Sequence, residues 1–361
     1  MSRRVYFHIG APKTGTTYLQ DRLALNRNTL SSHGVHYPLG ALNQTDLHFR
    51  AALDLLERDW AMDTGGRWDS LMKQVRRLDG TVIVSHEVLA SATDEQVRRA
   101  MHDVGDAEVH IVYSARDLAR QIPAAWQESI KNRKSWSYRS FLKKVQEKPQ
   151  IKADWWFWKV QSLPDVLSRW SAGLAPEQVH LVTVPPAGAP QGLLWQRFCD
   201  AFGIDPAWAP LDSVRANPSM GIAETTVVRK LNRRLNKTDM GVRDKRRLVK
   251  ELLVHGNLAH RPDMKKPTLP PDRYEWANGV AESWIDWIEG AGIDVVGDVD
   301  DLRPGEPPKE RWRDPDRPSR KKMLDAAVEA LSVMTQEAAR CGETEPNLIE
   351  KVGKAARSIR A

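Results

Sequence analysis

The sequence predicts an α/β fold in which helices flank a central parallel sheet. Short apolar runs of strand length recur along the chain, and segments with helical periodicity separate them. These runs end in glycine, proline or polar residues, as strands do where they leave a sheet. With 361 residues, of which 41% are hydrophobic, the chain can bury a full core in one large domain or in one domain plus an appendage.

Strands and helices alternate through the first part of the chain, which is the order that a parallel sheet requires. The predicted elements are strand Val5–Ile9, helix Thr16–Asn26, strand Val35–Pro38, helices Leu47–Leu56 and Trp68–Leu78, strand Val82–Ser85, helix Ala92–Val104 capped by Thr93 or Asp94, strand Val109–Tyr113, helix Asp117–Lys134, strand Val179–Pro185 and helix Leu193–Ile204 closed by Gly203. Pro123 predicts a kink or a late start in its helix. From Ile222 onward the pattern is mostly helical.

A charged, proline-rich segment predicts the domain boundary. We predict a catalytic α/β domain over residues 1–302, a linker or mobile loop over 303–322 and a helical C-terminal extension over 323–361. The extension carries an apolar stripe at helical spacing, formed by Leu324, Ala327, Val328 and Leu331.

The bulk composition excludes several protein classes. The net charge of +7 is typical of a soluble protein with basic faces, and Cys199 and Cys341 lack the spacing of a disulfide framework or a zinc site. No stretch approaches the roughly 18 to 20 apolar residues of a membrane span, and no signal-like region precedes the first strand. We therefore expect a cytoplasmic protein without stable membrane insertion and without a metal.

The first predicted strand runs directly into the glycine-rich stretch HIGAPKTGTTYLQ, His8–Gln20. Gly10 and Gly15 keep the spacing of a nucleotide-triphosphate loop, G-x-x-x-x-G-K-[ST]. Thr16 stands where that loop carries its lysine, and Lys13 lies inside the loop instead. The stretch therefore predicts a P-loop-like site with a different chemistry.

A glycine-rich turn between a strand and a helix presents backbone N–H groups at the positive end of the helix dipole, which is an anion site. The hydroxyls of Thr14, Thr16 and Thr17 add donors for phosphate oxygens. Lys13 adds a positive charge that can stabilise a leaving group without a metal. These residue types predict group transfer as well as anion binding.

The stretch GAPKTGTTYLQ resembles the 5′-phosphosulfate-binding loop of the sulfotransferases, which transfer a sulfuryl group from 3′-phosphoadenosine 5′-phosphosulfate (PAPS) to an alcohol, phenol or amine. The resemblance implies that Lys13 contacts the bridging oxygen and stabilises the departing adenosine 3′,5′-bisphosphate. It implies a cradle for the 5′-phosphate formed by Thr14, Gly15, Thr16 and Thr17. Tyr18 occupies the position of a tryptophan that stacks on adenine in cytosolic members.

The family's second signature is a strand followed by an arginine and, further on, by a serine, which together hold the 3′-phosphate. The stretch IVYSARDLARQIPAAW supplies the strand and Arg116, whereas Ala124 occupies the position of the serine. Arg120, one helical turn beyond Arg116, is the nearest cationic replacement.

The resemblance covers mainly residues 1 to 135, with weaker agreement over Val179–Phe202. The R-K-G loop of many cytosolic members is missing. The chain is therefore more similar to divergent bacterial branches of the family than to the animal phenol and steroid enzymes.

Transfer to a hydroxyl benefits from a base that accepts the proton of the acceptor. The resemblance implies a histidine or a glutamate in this role, and VIVSHEVL places His86 and Glu87 together after a buried strand. In a parallel sheet this strand end opens into the ligand crevice. We favour Glu87 over His86, with a helix cap at Ser85–Glu87 as the structural alternative. His48 either caps a helix or lines the acceptor pocket.

Aromatic residues indicate where an acceptor would bind. The stretch DWWFWKV, Asp154–Val160, and Trp126 form either an apolar wall that stacks on sugars or part of the core. As a wall they would admit small-molecule, glycan or lipid acceptors.

Two other function classes stay open. A P-loop small-molecule kinase would use Thr17 as its magnesium ligand, but the loop lacks the usual lysine and no strand ends in a clear Walker-B aspartate. A noncatalytic nucleotide- or nucleic-acid-binding protein would use the basic segment Lys309–Lys322. No nucleic-acid-binding motif accompanies that charge, so we predict no nucleic-acid partner. The sequence does not predict the oligomeric state.

Overall fold

A computed structural model describes residues 3–40, 44–58, 63–147, 155–213 and 219–358 of the chain. Of the aromatic stretch that begins at Asp154, this first residue lies outside the described ranges. Within those ranges, no helix combines the length and apolar character needed to cross a bilayer.

A six-stranded sheet, in the described part of the chain, forms the centre of the fold, and every neighbouring pair of strands is parallel. The strands are β1 (Arg4–Gly10), β2 (Val35–His36), β3 (Thr81–Ser85), β4 (Glu108–Ala115), β5 (Val179–Thr183) and β6 (Asp294–Val296). Their spatial order is β2-β3-β1-β4-β5-β6, so β1 lies between β3 and β4. The predicted α/β fold with a central parallel sheet is confirmed.

Helices connect the strands and continue beyond the sheet. They are α1 (Thr16–Leu25), α2 (Arg27–Ser32), α3 (Leu47–Leu55), α4 (Arg67–Val75), α5 (Asp94–Asp103), α6 (Leu118–Lys131), α7 (Tyr138–Glu147), α8 (Trp156–Gln161), α9 (Leu163–Trp170), α10 (Leu193–Phe202), α11 (Ile222–Leu235), α12 (Val242–Lys245), α13 (Tyr274–Ala291) and α14 (Arg320–Ser358). A π-helical stretch, Arg246–His255, follows α12 directly. Pro123 lies inside α6, so the predicted late start of that helix is wrong.

Two predicted helix ends have the expected chemistry. Thr93 caps α5, where its side chain accepts a hydrogen bond from the Gln96 backbone N–H and the Gln96 side chain accepts one from Thr93. Gly203 ends α10 in the left-handed conformation, with φ of 62°.

Both faces of β1 are covered, which explains its nearly continuous apolar sequence. Phe7 packs toward Trp68 and Trp170 on one face, whereas Tyr6 meets Phe202 on the other. A polar side chain in such a strand is enclosed, so it must find its hydrogen-bond partners inside the protein.

The chain divides into two compact units. The first contains the sheet and comprises Met1–Ala125, Ser140–Asn217 and Thr268–Trp312; the second is helical and comprises Trp126–Arg139, Pro218–Pro267 and Arg313–Ala361. The predicted domain boundaries at residues 302 and 322 stay a prediction.

The segment predicted as a linker, residues 303–322, is irregular up to Ser319, where α14 follows from Arg320, and it is anchored within each unit. In the first unit the Trp312 indole donates to the Thr268 carbonyl at 3.2 Å. In the second, Asp316 accepts hydrogen bonds from the backbone N–H groups of Tyr138 and Arg139. The following helix α14 buries Ala326 and Ala330, whereas Leu324, Val328 and Leu331 of the predicted stripe are exposed.

Candidate active site

The loop between β1 and α1 requires glycine at its two ends. Gly10 has φ of 135° and Gly15 has φ of 94°, a region that side chains with a Cβ rarely occupy. A Cβ on Gly15 would also lie 2.6 Å from Leu194 Cδ2. Lys13, at φ of 71°, is a non-glycine residue in the left-handed region, and such residues concentrate at functional sites.

Helix α1 starts at this loop without a cap. No side chain caps its first turn, and among the described residues the backbone N–H groups of Gly15, Thr16 and Thr17 have no protein acceptor. At the start of α5, by contrast, the side chains of Thr93 and Gln96 accept hydrogen bonds from backbone N–H groups. Unsatisfied N–H groups at the positive end of a helix suit an anion.

Hydrogen bonds to neighbouring side chains fix the loop between β1 and α1. The buried Thr14 hydroxyl lies 2.5 Å from both the Ala11 carbonyl oxygen and Ser114 Oγ. The side-chain amides of Gln121 and Gln161 both donate to the Pro12 carbonyl, at 2.6 and 3.0 Å. Because the Thr14 hydroxyl anchors the loop, its contribution to an anion would come through its backbone N–H.

Arg116 follows β4 and lies against the loop, as the sequence predicted for a residue at that strand end. Its Nη1 donates to the Lys13 carbonyl at 3.3 Å and its Nη2 to the Arg120 carbonyl at 2.6 Å. Burial and the nearby Arg120 charge lower the pKa of Arg116 to about 10 although the Asp117 carboxylate raises it, so the group is charged at neutral pH. Its buried Nε has no acceptor in the described structure, which leaves a donor for a ligand.

Arg120 is held by other partners. It forms an ion pair with Asp117 and donates to the carbonyls of Pro185 and Val184 after β5. Asp117 is buried and also accepts from the Arg120 backbone N–H, so it caps α6. These contacts fix the end of β5 against α6, and the prediction that Arg120 binds the 3′-phosphate stays a prediction. Ala124 is partly exposed on the same helix.

Tyr18 lies on α1, within a polar cluster. Its hydroxyl accepts from Arg22 at 2.8 Å, and Arg22 also pairs with Asp212 at 2.9 Å. The Arg22 guanidinium lies 4.4 Å above the Trp195 ring. The partly buried Tyr18 ring therefore has a fixed position, and its stacking on adenine stays a prediction.

Glu87 and His86 follow β3 and are both partly buried. Gln20 donates to Glu87 Oε2 at 3.3 Å. Burial alone would raise the pKa of Glu87, but His86, the Glu87 backbone N–H and Gln20 outweigh it and lower the pKa below 4.5. Glu87 is therefore a carboxylate at neutral pH, the form that a general base needs.

His86 has a different role in this geometry. Its Nδ1 accepts from the Val88 backbone N–H at 3.2 Å, which makes His86 the cap of the short 3₁₀ turn Glu87–Ser91. Nδ1 is thus unprotonated, and the ring stacks on Phe49 at 4.7 Å. Burial lowers the pKa of His86. The helix-cap alternative raised by the sequence therefore applies to His86, while Glu87 keeps its carboxylate available.

His48 forms a hydrogen bond that holds the end of β3. Its Nε2 donates to the Pro38 carbonyl at 2.6 Å, and its Nδ1 accepts from the Ser85 backbone N–H at 3.2 Å. Burial lowers its pKa to about 4, so the ring is neutral. These contacts are those of a buried structural histidine, and the prediction that it contacts the acceptor stays untested.

The predicted aromatic wall is only partly open. Trp126 is fully buried and packs against Tyr138, 4.9 Å between ring centroids, which is core packing. Trp158 is also fully buried, whereas Trp156 is 38% exposed and stacks with Arg58 at 4.8 Å. Trp156 is thus the better candidate for contact with an acceptor.

Sequence reasoning missed a set of buried polar side chains beneath the loop. His8 Nδ1 lies 2.7 Å from Ser85 Oγ, and His8 Nε2 lies 3.5 Å from Ser114 Oγ. The available signal was a histidine inside an otherwise apolar central strand, which must be satisfied by neighbouring strands.

No protein-family model and no curated protein matches the chain. Among solved structures, a sulfotransferase from Alicyclobacillus acidocaldarius is similar to it, with 19% sequence identity over 60% of this chain and 88% of the other, at a TM-score of 0.37. A likeness at this TM-score carries no functional argument.

Proposed function

We propose that this protein is a sulfotransferase that moves a sulfuryl group from PAPS to a hydroxyl or amine of a small-molecule, glycan or lipid acceptor. The observation that supports it most is the uncapped start of α1 beside a lysine-bearing glycine loop. The loop sequence resembles that of the sulfotransferases and differs from a triphosphate loop in the position of its lysine.

The residues present fit an anionic nucleotide. The unsatisfied N–H groups of Gly15, Thr16 and Thr17 would hold the 5′-phosphate, with the hydroxyls of Thr16 and Thr17 as further donors. Among the residues that the structure describes, Arg116 has no carboxylate as a hydrogen-bond partner and keeps one buried donor, Nε, for the 3′-phosphate. Bound there, PAPS would supply the activated sulfuryl group.

Lys13 would stabilise charge on the leaving group. Its backbone conformation and its carbonyl contact with Arg116 fix the position from which its side chain extends. A fixed cation near developing negative charge is the kind of electrostatic stabilisation that contributes most to many enzymes.

Glu87 would accept the proton of the acceptor. The carboxylate is ionised and held by Gln20 at 3.3 Å, so it does not reorganise when the proton transfers. The proposed setting is cytoplasmic, in keeping with the free thiols of Cys199 and Cys341.

A transfer assay with radiolabelled PAPS and a panel of alcohols, phenols, amines and glycans tests this function. Lys13→Ala should reduce transfer by about 100-fold or more because a preorganised charge is lost. Lys73→Ala, a change at an exposed lysine of α4, is the matched control and should retain full transfer. Undiminished transfer by Lys13→Ala, with both variants folded, would refute the assigned role of the loop.

A further inference from the structure

The candidate base and the phosphate loop are joined by a continuous set of hydrogen bonds, which are partly buried at Gln20 and buried from Ser85 onward. On the base side, Gln20 Nε2 lies 3.3 Å from Glu87 Oε2 and 3.4 Å from Ser85 Oγ. Ser85 then contacts His8 on β1, and His8 contacts Ser114 on β4. We call Gln20, Ser85, His8 and Ser114 the His8 relay.

On the loop side, Ser114 contacts both ends of the turn. Its hydroxyl donates to the Gly10 carbonyl at 2.8 Å, and its Oγ lies 2.5 Å from the Thr14 hydroxyl. The Ser114 carbonyl also accepts from the Ala11 backbone N–H at 2.8 Å. A shift of Ser114 would therefore move the backbone that leads to the N–H groups at the start of α1.

The Ser114–Gly10 bond sets the direction of the bonds from Ser114 back through His8 to Ser85. Ser114 has one hydroxyl proton, which it donates to Gly10, so it accepts from His8 Nε2. A neutral His8 protonated on Nε2 must accept at Nδ1, and there Ser85 is the donor. Ser85 Oγ in turn accepts from Gln20. From Gln20 to Gly10 each donor points toward the loop, and Gln20 also donates to Glu87 on the base side.

We propose that His8 is a positioning residue that couples the placement of Glu87 to the conformation of the phosphate loop. His8 is fully buried and touches neither proposed substrate group, so it acts through Ser85 and Ser114. Burial lowers the pKa of His8 to about 4, which keeps the ring neutral, with one nitrogen as donor and the other as acceptor. Its role in catalysis rests on the proposed function, whereas the coupling itself does not.

A double-mutant cycle between Ser85 and His8 tests the coupling, with the affinity for adenosine 3′,5′-bisphosphate as the readout. Ser85→Ala removes the donor to His8 without touching the loop and should weaken binding about 5- to 10-fold. In a His8→Leu background the same change should have no further effect. If His8 has a merely structural role, Ser85→Ala should weaken bisphosphate binding by the same factor in both backgrounds. That result would overturn the proposal.

Matched variants keep the test decisive. Val84→Ala removes apolar volume from the same buried strand and should lower stability without changing the affinity. If His8→Leu does not fold, His8→Gln is the second background, because its amide can donate to Ser114 but cannot keep the imidazole geometry toward Ser85. There too, Ser85→Ala should add no loss.

A second readout separates this inference from the proposed function. Amide hydrogen exchange in residues 10–17 should accelerate in Ser85→Ala only when His8 is present, with or without nucleotide. If the wild type does not bind the bisphosphate but the variants show this exchange pattern, the relay stands and the function fails. If the wild type binds and Ser85→Ala changes neither affinity nor exchange, the relay is wrong and the function stands.

Discussion

Arg116 is the residue that we expect to distinguish adenosine 3′,5′-bisphosphate from adenosine 5′-phosphate. Arg116→Ala should weaken the binding of adenosine 3′,5′-bisphosphate by about 1.5 to 3 kcal/mol, because a charge-assisted hydrogen bond to the 3′-phosphate is lost. Adenosine 5′-phosphate, which lacks that group, should bind almost unchanged. Competitive calorimetry with both nucleotides measures the difference.

A matched arginine controls for lost packing in that experiment. Arg197, on α10, is buried to a similar degree and pairs with Asp301. Arg197→Ala should affect both nucleotides equally and slightly. Equal weakening of both nucleotides by Arg116→Ala would remove Arg116 as the 3′-phosphate ligand, and a selective loss in Arg120→Ala would transfer the role to Arg120.

Glu87 and His86 are adjacent, yet their contacts predict unequal roles. Glu87→Gln should lower the turnover rate by about 100-fold or more, because general bases typically contribute 10²- to 10⁴-fold. His86→Asn should be milder, since the amide oxygen can still accept from the Val88 backbone N–H in the place of Nδ1. Turnover at saturating PAPS and acceptor, with bisphosphate affinity as the binding control, measures both; the reverse order would make His86 the base.

The pH dependence of turnover also distinguishes Glu87 from His86 as the base. Because the pKa of Glu87 lies below 4.5, the carboxylate stays ionised as the pH falls toward that value. The acid limb of the turnover profile should therefore lie below pH 4.5. An acid limb between pH 4.5 and 6.5 would instead indicate His86 as the base, because burial lowers its pKa from 6.5.

At the scale of elements, the loop between β1 and α1 depends on Gly15. Gly15→Ala places a Cβ at φ of 94° and 2.6 Å from Leu194. We expect a stability loss of about 1 to 2 kcal/mol from the left-handed backbone, together with weaker bisphosphate binding. Urea unfolding and calorimetry measure the two effects.

Gly203 supplies the control for that substitution. It is also left-handed, with φ of 62°, but in the described structure an added Cβ would meet the Tyr6 hydroxyl at 4.0 Å and no atom of the loop within that distance. Gly203→Ala should therefore cost similar stability and leave nucleotide binding unchanged. If Gly15→Ala binds the bisphosphate like the wild type, the loop does not hold the phosphate.

The sequence predicted the elements that carry strong local signals. The β1, β3, β4 and β5 strands are buried apolar runs, and the α5 start has a capping box, so each could be recognised from neighbouring residues alone. The β6 strand, three residues at the edge of the sheet, has no such signal and was missed. The sequence spacing of Asp117 and Arg120 would have indicated their ion pair.

The sequence could predict only those site residues that directly follow the end of a strand. The His8 relay depends on the parallel register that brings position 8 of β1 beside position 85 of β3, and on β4 lying on the other side. No spacing along the chain encodes that meeting. Likewise, only the packing shows that Trp126 is enclosed while Trp156 is partly exposed.

At the scale of the whole molecule, buried neutral histidines make stability depend on pH. His8 and His48 have a pKa of about 4, below the ordinary value of 6.5, because burial disfavours the charged ring. The unfolded chain binds more protons as the pH falls from 6.5 toward 4, so stability falls over that window. Each histidine should contribute about 3 kcal/mol of loss at full effect.

Urea unfolding at pH 7 and at pH 4.5 measures this dependence. His48→Asn should flatten it, because one group that must take up a proton on unfolding is removed. His102→Asn, at a histidine whose side chain is 88% exposed, is the control and should leave the slope unchanged. An unchanged slope in His48→Asn would contradict the buried neutral state of that ring.

Calorimetric titration of the wild-type protein with adenosine 3′,5′-bisphosphate, beside ATP with and without Mg²⁺, tests the proposed function most directly. A lysine-bearing loop that holds a 5′-phosphate, with Arg116 for the 3′-phosphate, predicts that the bisphosphate binds without Mg²⁺ and more tightly than ATP under either condition. Tight binding of ATP that requires Mg²⁺, with no heat from the bisphosphate, would contradict the sulfotransferase assignment and favour a kinase.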